Sequence, residues 1–485
     1  MTNEILRQPD QAEAELRRIL EIYQESPLAT LETFAYYGVD GTAEAATSRS
    51  KTKKEFLAGE VNNPDLFYPV LEKPEIVEQL GNMETTVLDL MKDSLRLDYD
   101  GDRELALYDN LRLRYLEVAM LQISHRMATE RLLSPEEKAE LSDMFNLANE
   151  EVYGYMQPER FNGLAHDVLG NAVTALKDDE LPKDVREAAE YLITNSRLAT
   201  DAPVKLPVEV DSQTLAGLRD MVVEMNADIL ETIPDKPEGE KYTIEELVYI
   251  FEHAHATRGT GWQVITQTGK RNIDTRQSEK ITYIGEDRPL TYATGVAKIL
   301  LHENGVHVER RRQGDLLSDP LLSGTGLAGY LDSEEGLATI LEQIYEGKTR
   351  ESGVQYYLTL GWARGLDGKP RDFRDVYELE WRRRVIQQYK TNPDALDIEK
   401  IKDLTYNTCE RIFRGTPCDI PGMVYTKDQA YFVGNQKIWE YLDGIMDLPE
   451  EDRKQEFAKL FAAKFDPTNE LHRRIVDKAK KRAIK

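Results

Sequence analysis

Cysteine is nearly absent from this chain of 485 residues, which contains only two, Cys409 and Cys418. Two cysteines within one short segment cannot supply a disulfide framework, so a hydrophobic core must stabilise the fold. Neither cysteine has a sequence context that favours a nucleophile over an ordinary buried thiol. The sequence therefore excludes a small disulfide-rich scaffold and gives no support to cysteine-based catalysis.

Long apolar runs are absent too, since no stretch approaches the roughly 20 apolar residues that a membrane-spanning helix needs. The first residues, MTNEILRQPDQAEAEL, lack the basic start and the apolar region of a signal peptide. We therefore expect a cytoplasmic protein that has no membrane partner.

Positive charge is scarce relative to negative charge. The chain has 62 lysines and arginines against 88 aspartates and glutamates, which gives a net charge of −26. Such an acidic surface repels the phosphates of DNA and RNA, so we expect no nucleic-acid partner. The length is sufficient for two to four domains with at least one sizeable core. No feature of the sequence indicates the oligomeric state.

Helical periodicity dominates the first half of the chain, where apolar residues recur at three- and four-residue spacing. Ser134, followed by proline and two glutamates, is typical of a helix start, and residues 181–184 open another, shorter helix. The remaining predicted helices cover residues 11–24, 75–97, 104–132, 135–156 and 212–232.

The second half has a different pattern, which begins after the polar segment 233–241. A helix is predicted over residues 242–257, and another from about Thr291 through Glu303. Between them, residues 262–268 and 280–284 are typical of two short strands.

The predicted fold class is therefore mostly α with a small antiparallel β element (α+β). We expect a helical N-terminal region at residues 1–235 and a second domain of mixed α+β structure at residues 236–450. A charged C-terminal helix is predicted at residues 451–485.

Histidine is also rare, yet two of the seven histidines fall in one short motif, HENGVH, from His302 to His307. Zinc peptidases commonly carry two histidines four residues apart, which places both on one helix face. A separation of five turns a regular helix by about 140° and splays the two side chains. Gly305 permits unusual backbone angles, so we predict either a π-bulge or a helix end near Gly305.

Glu303 is the predicted catalytic base, because a carboxylate next to the first histidine can accept a proton from water beside a metal. Catalytic zinc usually has three protein ligands, and the candidates for the third are Glu334 and Glu335. An alternative for Glu335 is a capping box in which Asp332 is the N-cap residue of a helix.

A rival metal site is conceivable at Glu252-His253-Ala254-His255. On a helix, however, His253 and His255 lie about 200° apart and face opposite ways. We therefore interpret these histidines as core residues or as supports for another site.

Three sequence blocks resemble one family. The segment from His302 to Ala338 resembles the microtubule-associated tyrosine carboxypeptidases and their bacterial relatives, the QEGLA-motif proteins. Those proteins carry H-E-I-G-T-H, an arginine three residues later and Q/E-E-G-L-A downstream, and this chain has HENGVH, Arg310 and EEGLA. Residues 411–415 and 422–434 are similar to the family's R-x-x-R-G and F-T-K-D-x-x-Y-L-x-G segments.

The resemblance implies a zincin-like carboxypeptidase with an active-site helix, in which His302, His307 and Glu335 bind Zn²⁺ and Glu303 is the base. Glu335 is preferred over Glu334 because many relatives have glutamine at the first position of the second motif. Family members remove the C-terminal tyrosine of tubulin. The resemblance therefore implies a peptide or protein C-terminus as substrate, with tyrosine or another aromatic residue as one candidate for its last residue.

This chain departs from the family's usual residues at three motif positions. Asn304, Val306 and Tyr425 stand where the family has isoleucine, threonine and phenylalanine. None of these changes removes a catalytic group, and they leave the substrate preference open.

The third block contains the predicted substrate-binding residues, Arg411, Arg414 and Lys427. The planar guanidinium of arginine suits a free carboxylate because it offers two parallel hydrogen bonds. Tyr431 can donate a hydrogen bond to the oxyanion that develops during hydrolysis. The ordinary alternative for each residue is a surface group or an ion-pair partner.

The sequence thus predicts a zinc-dependent carboxypeptidase whose catalytic domain is the second domain, residues 236–450. One alternative is a non-enzymatic helical interaction protein with a structural metal, which needs four protein ligands and no open position. The other alternative is a zinc endopeptidase that uses the same metal site.

Overall fold

A computed structural model of the protein describes residues 9–31, 43–66, 74–97, 101–130, 132–196, 210–237 and 239–483. Residues 1–8, on which the expectation about a signal peptide partly rests, lie outside this description, as do the last two residues of the basic C-terminal tail. Within the described ranges, no helix is both long and apolar enough to cross a bilayer.

Helices form the first half of the described chain, as the periodicity predicts. A short 3-10 turn, Pro27–Thr30, follows the first of them. The helices are α1 (Pro9–Glu25), α2 (Ala43–Leu57), α3 (Pro74–Ser94), α4 (Gly101–Thr129), α5 (Pro135–Tyr153), α6 (Pro158–Ala175), α7 (Lys183–Asn195), α8 (Ser212–Met225), α9 (Ala227–Leu230) and α10 (Ile244–Thr257).

The predicted helix start at Ser134 is confirmed, because its side chain accepts a hydrogen bond from the backbone of Glu137 while Glu137 bonds back to the backbone of Ser134. The single helix predicted over residues 212–232 is divided in two. Helix α8 ends at Met225, and Asn226 separates it from α9. The side chain of Asn226 bonds to Val222 O at 2.9 Å, which satisfies a carbonyl at the end of α8.

The second half combines three short strands with further helices. The strands are β1 (Gln263–Gln267), β2 (Ile273–Arg276) and β3 (Ile281–Gly285). The helices are α11 (Ala293–Leu300), α12 (Glu309–Leu316), α13 (Leu331–Glu346), α14 (Val354–Arg364), α15 (Phe373–Thr391), α16 (Ile398–Phe413), α17 (Ala430–Met446), α18 (Glu450–Lys459) and α19 (Glu470–Ala483).

The remaining helical segments are short and irregular. Two of them have π-helical hydrogen bonding, and the other two are 3-10 turns. They are the π-helical segments Leu301–Val308 and Leu321–Thr325 and the 3-10 turns Pro393–Ala395 and Thr426–Gln429.

The fold class, mostly α with a small β element, is confirmed, but the sheet is mixed and not antiparallel. Its strand order is β1-β3-β2; β1 runs parallel to β3, and β2 runs antiparallel to it. The prediction found two of the three strands. It missed β2 because Asp274, Thr275 and Arg276 give this strand no apolar alternation. The cause of that polarity is its position beside a cleft.

The hydrophobic cores draw side chains from distant parts of the chain. One core combines Phe161 of α6 with Trp362 of α14. A second includes Leu16 of α1 together with Leu321 and Phe465. Each of these two cores therefore contains residues from both sides of the predicted boundary at residue 235. The domain boundaries themselves stay a prediction. The region 451–485 contains two helices, α18 and α19, instead of one.

Candidate metal centre and cleft

The HENGVH motif lies within a continuous helical stretch, formed by α11, the π-helical segment 301–308 and α12. The backbone N–H of Glu309 bonds to Asn304 O, five residues back, which is the π-helical pattern. This widened turn brings His302 and His307 to one face, with ring centroids 5.2 Å apart. Of the two predicted geometries, the π-bulge is confirmed, and the helix continues past Gly305.

The buried guanidinium of Arg258 braces this π-helical segment. Its side chain is only 4% exposed, and Nη1 donates to Asn304 O at 3.2 Å and to Glu309 at 3.1 Å. Its other nitrogens hold Asp228 at 3.0 and 3.1 Å and Asn226 Oδ1 at 3.0 Å. Arg258 thus ties the widened turn to the loop that joins α8 and α9.

Gly305 allows the neighbouring loop to approach. A Cβ atom at this position would lie 3.1 Å from Asn226 Oδ1, tighter than an ordinary contact. Gly305 thus makes room for the side chain of Asn226, while its own backbone stays helical.

Three side chains converge on one point: His302, His307 and Glu335. One potential ligand atom of each lies within 4.8 Å of those of the other two. Glu335 reaches this point from the first turns of α13. The capping-box alternative for Glu335 is wrong, because α13 begins after Tyr330 without a side-chain cap, so Asp332 is already inside the helix.

Two further glutamates hold the imidazole rings from behind. His302 Nδ1 is 2.7 Å from Glu342 Oε1, and His307 Nδ1 is 2.8 Å from Glu334 Oε1. A carboxylate on Nδ1 fixes the proton there and leaves Nε2 as the ligand atom, as is usual for metal-binding histidines. Glu334 and Glu335 therefore have different positions, with Glu335 beside the cluster and Glu334 behind His307.

Sequence reasoning missed Glu342, although its spacing is a usable signal. It follows Glu335 by seven residues, which is two helical turns, so both carboxylates lie on the same face of α13. Arg310 supports Glu334 at 3.5 Å and donates to Ala463 O at 2.7 Å. This fully buried arginine links the site to the C-terminal region.

The electrostatics of the cluster favour a cation. Burial acts to lower the pKa of His302, but the hydrogen bond to Glu342 and the charges of Glu303, Glu342 and Glu335 raise it to about 9. The pKa of His307 is raised in the same way, against burial, by Glu334 and its neighbours. Glu335 Oε2 is buried without a hydrogen-bond partner among the described residues. Two imidazoles and a carboxylate with an unpartnered buried oxygen fit the donor set of zinc.

Glu303 lies beside this cluster and is 9% exposed. Burial raises the pKa of its carboxyl group, while His302, His307 and a hydrogen bond from Thr275 act to lower it. A carboxyl group in such surroundings can accept a proton and give it back.

One cleft of about 620 Å³ contains all of the predicted site residues. Residues 272–278, which include β2, form one wall. The predicted residues that line the cleft are His302, Glu303, His307, Glu335, Arg411, Arg414, Lys427 and Tyr431.

Asp428 organises the cationic side of this cleft, and sequence reasoning missed it. Arg411 donates to its carboxylate from Nε at 2.8 Å and from Nη2 at 3.0 Å, and Arg414 adds a bond at 3.2 Å. Burial acts to raise the pKa of Asp428, but the two guanidinium groups hold it far below its usual range. Two nitrogens of the Arg411 guanidinium are thus already bonded to Asp428. The third, Nη1, has no acceptor among the described residues and can bond to another one.

Tyr431 contacts Arg411 and lines the same cleft as His302, His307 and Glu335. Its hydroxyl accepts a hydrogen bond from Arg411 Nη2 at 3.4 Å. Burial and the charge of Glu335 raise the pKa of Tyr431 well above its usual value, so the hydroxyl keeps its proton. Tyr425, in contrast, packs away from the cleft with its hydroxyl 2.6 Å from that of Tyr153.

No protein-family model, no curated protein and no solved structure matches this chain. The interpretation of the site therefore depends on its own geometry and on the motifs.

The rival pair of histidines does not form a metal cluster in the described residues. His253 is exposed and stacks on Tyr249, with ring centroids 4.9 Å apart. His255 points the opposite way into the interior and hydrogen-bonds to Thr282 and Asn304. The predicted opposite orientation of the two side chains is confirmed.

Proposed function

We propose that this protein is a zinc-dependent carboxypeptidase that removes the C-terminal residue of a peptide or protein. The observation that supports this most is the convergence of His302, His307 and Glu335, with Glu303 beside them in an open cleft. A cytoplasmic location and the absence of membrane and nucleic-acid partners remain predictions.

His302, His307 and Glu335 are the residues that would hold the metal. Bound zinc supplies a Lewis acid, which polarises a carbonyl group and makes water acidic near neutral pH. Three protein ligands leave a coordination position open, whereas a structural zinc site has four protein ligands.

Two side chains beside the cluster carry out proton transfer and stabilisation of the developing negative charge. Glu303 takes the proton from the attacking water and transfers it to the leaving amine, since its buried carboxylate lies beside the ligand histidines. Tyr431, which keeps its hydroxyl proton, donates a hydrogen bond to the scissile carbonyl oxygen as negative charge develops on it.

The cleft has two features that suit the end of a peptide. Strand β2 is at the edge of the sheet, so its outer backbone groups can pair with an extended chain. Positive charge for a terminal carboxylate comes from Arg411, Arg414 and Lys427. The substrate carboxylate would bind to the same group of cations that Asp428 already contacts. The resemblance to tyrosine carboxypeptidases agrees with this arrangement and favours tyrosine or another aromatic residue at the C-terminus.

The test combines metal analysis with peptides that differ only in the C-terminal residue, including tyrosine and phenylalanine. We expect one zinc per chain and hydrolysis that Glu303→Gln reduces by at least about 100-fold with zinc retained. Glu252→Gln, an exposed glutamate on α10, is the matched control and should leave the rate unchanged.

The other outcomes separate the alternatives. A wild-type protein that binds no zinc contradicts the proposal. Equal cleavage of C-terminally amidated peptides identifies an endopeptidase, because a carboxypeptidase needs the free carboxylate. Tightly bound zinc without hydrolysis of any peptide indicates a structural metal.

A further inference from the structure

His255 is a buried histidine that the proposed chemistry does not use. It lies on α10 and is only 2% exposed. Burial and the nearby charge of Arg258 lower its pKa to about 4, so the ring is neutral near pH 7. A neutral imidazole has one donor and one acceptor nitrogen, which gives it a direction in a hydrogen-bond chain.

The two neighbours of His255 define that direction. Asn304 Nδ2 is 3.1 Å from Nδ1 of the ring, and Thr282 Oγ1 is 3.1 Å from Nε2. In this orientation of the Asn304 amide its nitrogen donates, so Nδ1 accepts and Nε2 keeps the proton. The Nε2–H group therefore donates to the hydroxyl of Thr282.

The sheet extends this chain of hydrogen bonds toward the cleft. Thr282 of β3 is directly opposite Thr275 of β2 in the antiparallel register, and their hydroxyl oxygens are 3.3 Å apart. Thr275 in turn lies close enough to the carboxylate of Glu303 to act to lower its pKa, and both residues line the cleft. A hydroxyl that accepts from the histidine donates its own hydrogen onward, so each donor points toward Glu303.

We propose that His255, Thr282 and Thr275 form a positioning relay that holds the Glu303 carboxylate in its working orientation. Asn304 sets the ring tautomer at the far end. With Thr275 fixed as a donor to one carboxylate oxygen, the other oxygen faces the attacking water. This inference rests on the proposed function, because Glu303 needs a fixed orientation only if it moves a proton.

Thr282 is the residue that distinguishes positioning from direct contact. It is fully buried and does not line the cleft, so a change there cannot touch the substrate or a metal ligand. Thr282→Val removes the hydroxyl at nearly constant shape, whereas Thr282→Ser keeps the hydroxyl and removes a methyl group. A role in packing alone predicts that the serine variant is at least as impaired as the valine variant.

The experiment measures kcat and KM of the zinc-loaded full chain on the peptide that the wild type cleaves best. We expect Thr282→Val to lower kcat about tenfold, the effect of one lost hydrogen bond, with KM and zinc content unchanged. Thr282→Ser should stay within about twofold of the wild type. A wild-type kcat for Thr282→Val overturns the relay.

A second readout does not depend on activity. In protein labelled with ¹⁵N-histidine, NMR distinguishes the two neutral tautomers, and His255→Gln assigns the signal. We expect the Nε2–H tautomer at pH 7, and an Nδ1–H or charged ring overturns the relay even if Thr282→Val fails to fold. If the wild type hydrolyses no peptide, the proposed function fails, whatever the tautomer of His255.

Discussion

At the scale of single residues, the glutamates around His302 and His307 differ in what they contact. Glu335 has a buried oxygen without a partner and a carboxylate that converges with His302 and His307, whereas Glu342 is bonded to His302 Nδ1. The first arrangement suits a metal ligand, and the second orients a ligand ring and raises its basicity.

This difference predicts that substitutions of Glu342 and Glu335 weaken zinc binding to different extents. Glu342→Gln should weaken zinc binding about 10- to 100-fold, as the loss of a carboxylate behind a ligand histidine typically does. Glu335→Gln should weaken it further, because a charged ligand is lost. Competition with a chelator measures both affinities. Glu346→Gln is the control, since this residue pairs with Lys298 one turn along α13. Equal affinities for the variants at 342 and 346 would contradict the assignment.

At the scale of elements, α13 and α17 approach each other through two glycines. A Cβ on Gly336 would lie 2.2 Å from the backbone of Gly434, and one on Gly434 would lie 1.8 Å from Asp332 O. This close contact brings Tyr431 of α17 to the side of the cleft where Glu335 of α13 lies. The glycine of EEGLA and the last glycine of the third block therefore serve helix packing.

The contact can be tested with a matched pair of glycines on α17. Gly434→Ala should destabilise the fold by about 1–3 kcal/mol, because the added methyl overlaps backbone that cannot move independently. Gly444→Ala should stabilise it by about 0.4–1 kcal/mol, since an added Cβ at this exposed position meets nothing within 4 Å. Urea unfolding measures both free energies. A neutral Gly434→Ala would show that the helices lie further apart.

At the scale of the whole molecule, contacts tie both ends of the chain to its middle. Arg103 is buried between Glu13 and Asp319, and Asp319 also binds Arg482 at 2.7 Å. In the same region, His472 of α19 accepts a hydrogen bond from the backbone of Asp466 at 3.0 Å. The C-terminal region is thus part of the folded core and close to the buried Arg310 that supports the site.

His472 predicts a loss of stability in mild acid. Burial lowers its pKa from 6.5 to about 4, so between these values the unfolded chain binds a proton that the folded protein excludes. The stabilisation that the neutral His472 gives to the folded protein is therefore complete above about pH 6.5 and falls as the pH drops toward 4.

Urea unfolding at pH 7 and pH 5 tests this contribution. From pH 7 to pH 5, the free energy of unfolding of the wild type should fall by about 2 kcal/mol more than that of His472→Asn. Asparagine can accept the same hydrogen bond without titrating. Parallel pH profiles for the two proteins would contradict the assignment.

The sequence by itself determined the features that depend on neighbours along the chain. Apolar periodicity and the capping residues predicted most of the N-terminal helices, and the spacing of HENGVH predicted either a π-bulge or a helix end near Gly305. The motif residues gave the candidate ligands and the candidate base before any geometry was known. Each of these signals is local, because backbone hydrogen bonding and helix geometry couple residues only a few positions apart.

Only the tertiary structure decided the features that depend on distant residues. Four such features each join separate segments of the chain. They are the different positions of Glu334 and Glu335, the bonds of Arg411 to Asp428, the bond of Arg258 to the π-helical segment, and the parallel pairing of β1 with β3. Strand β2 escaped prediction for the same reason, since Asp274, Thr275 and Arg276 line a cleft that distant segments complete. Such contacts arise from packing and charge across the folded molecule, and sequence spacing carries no record of which distant side chains come together.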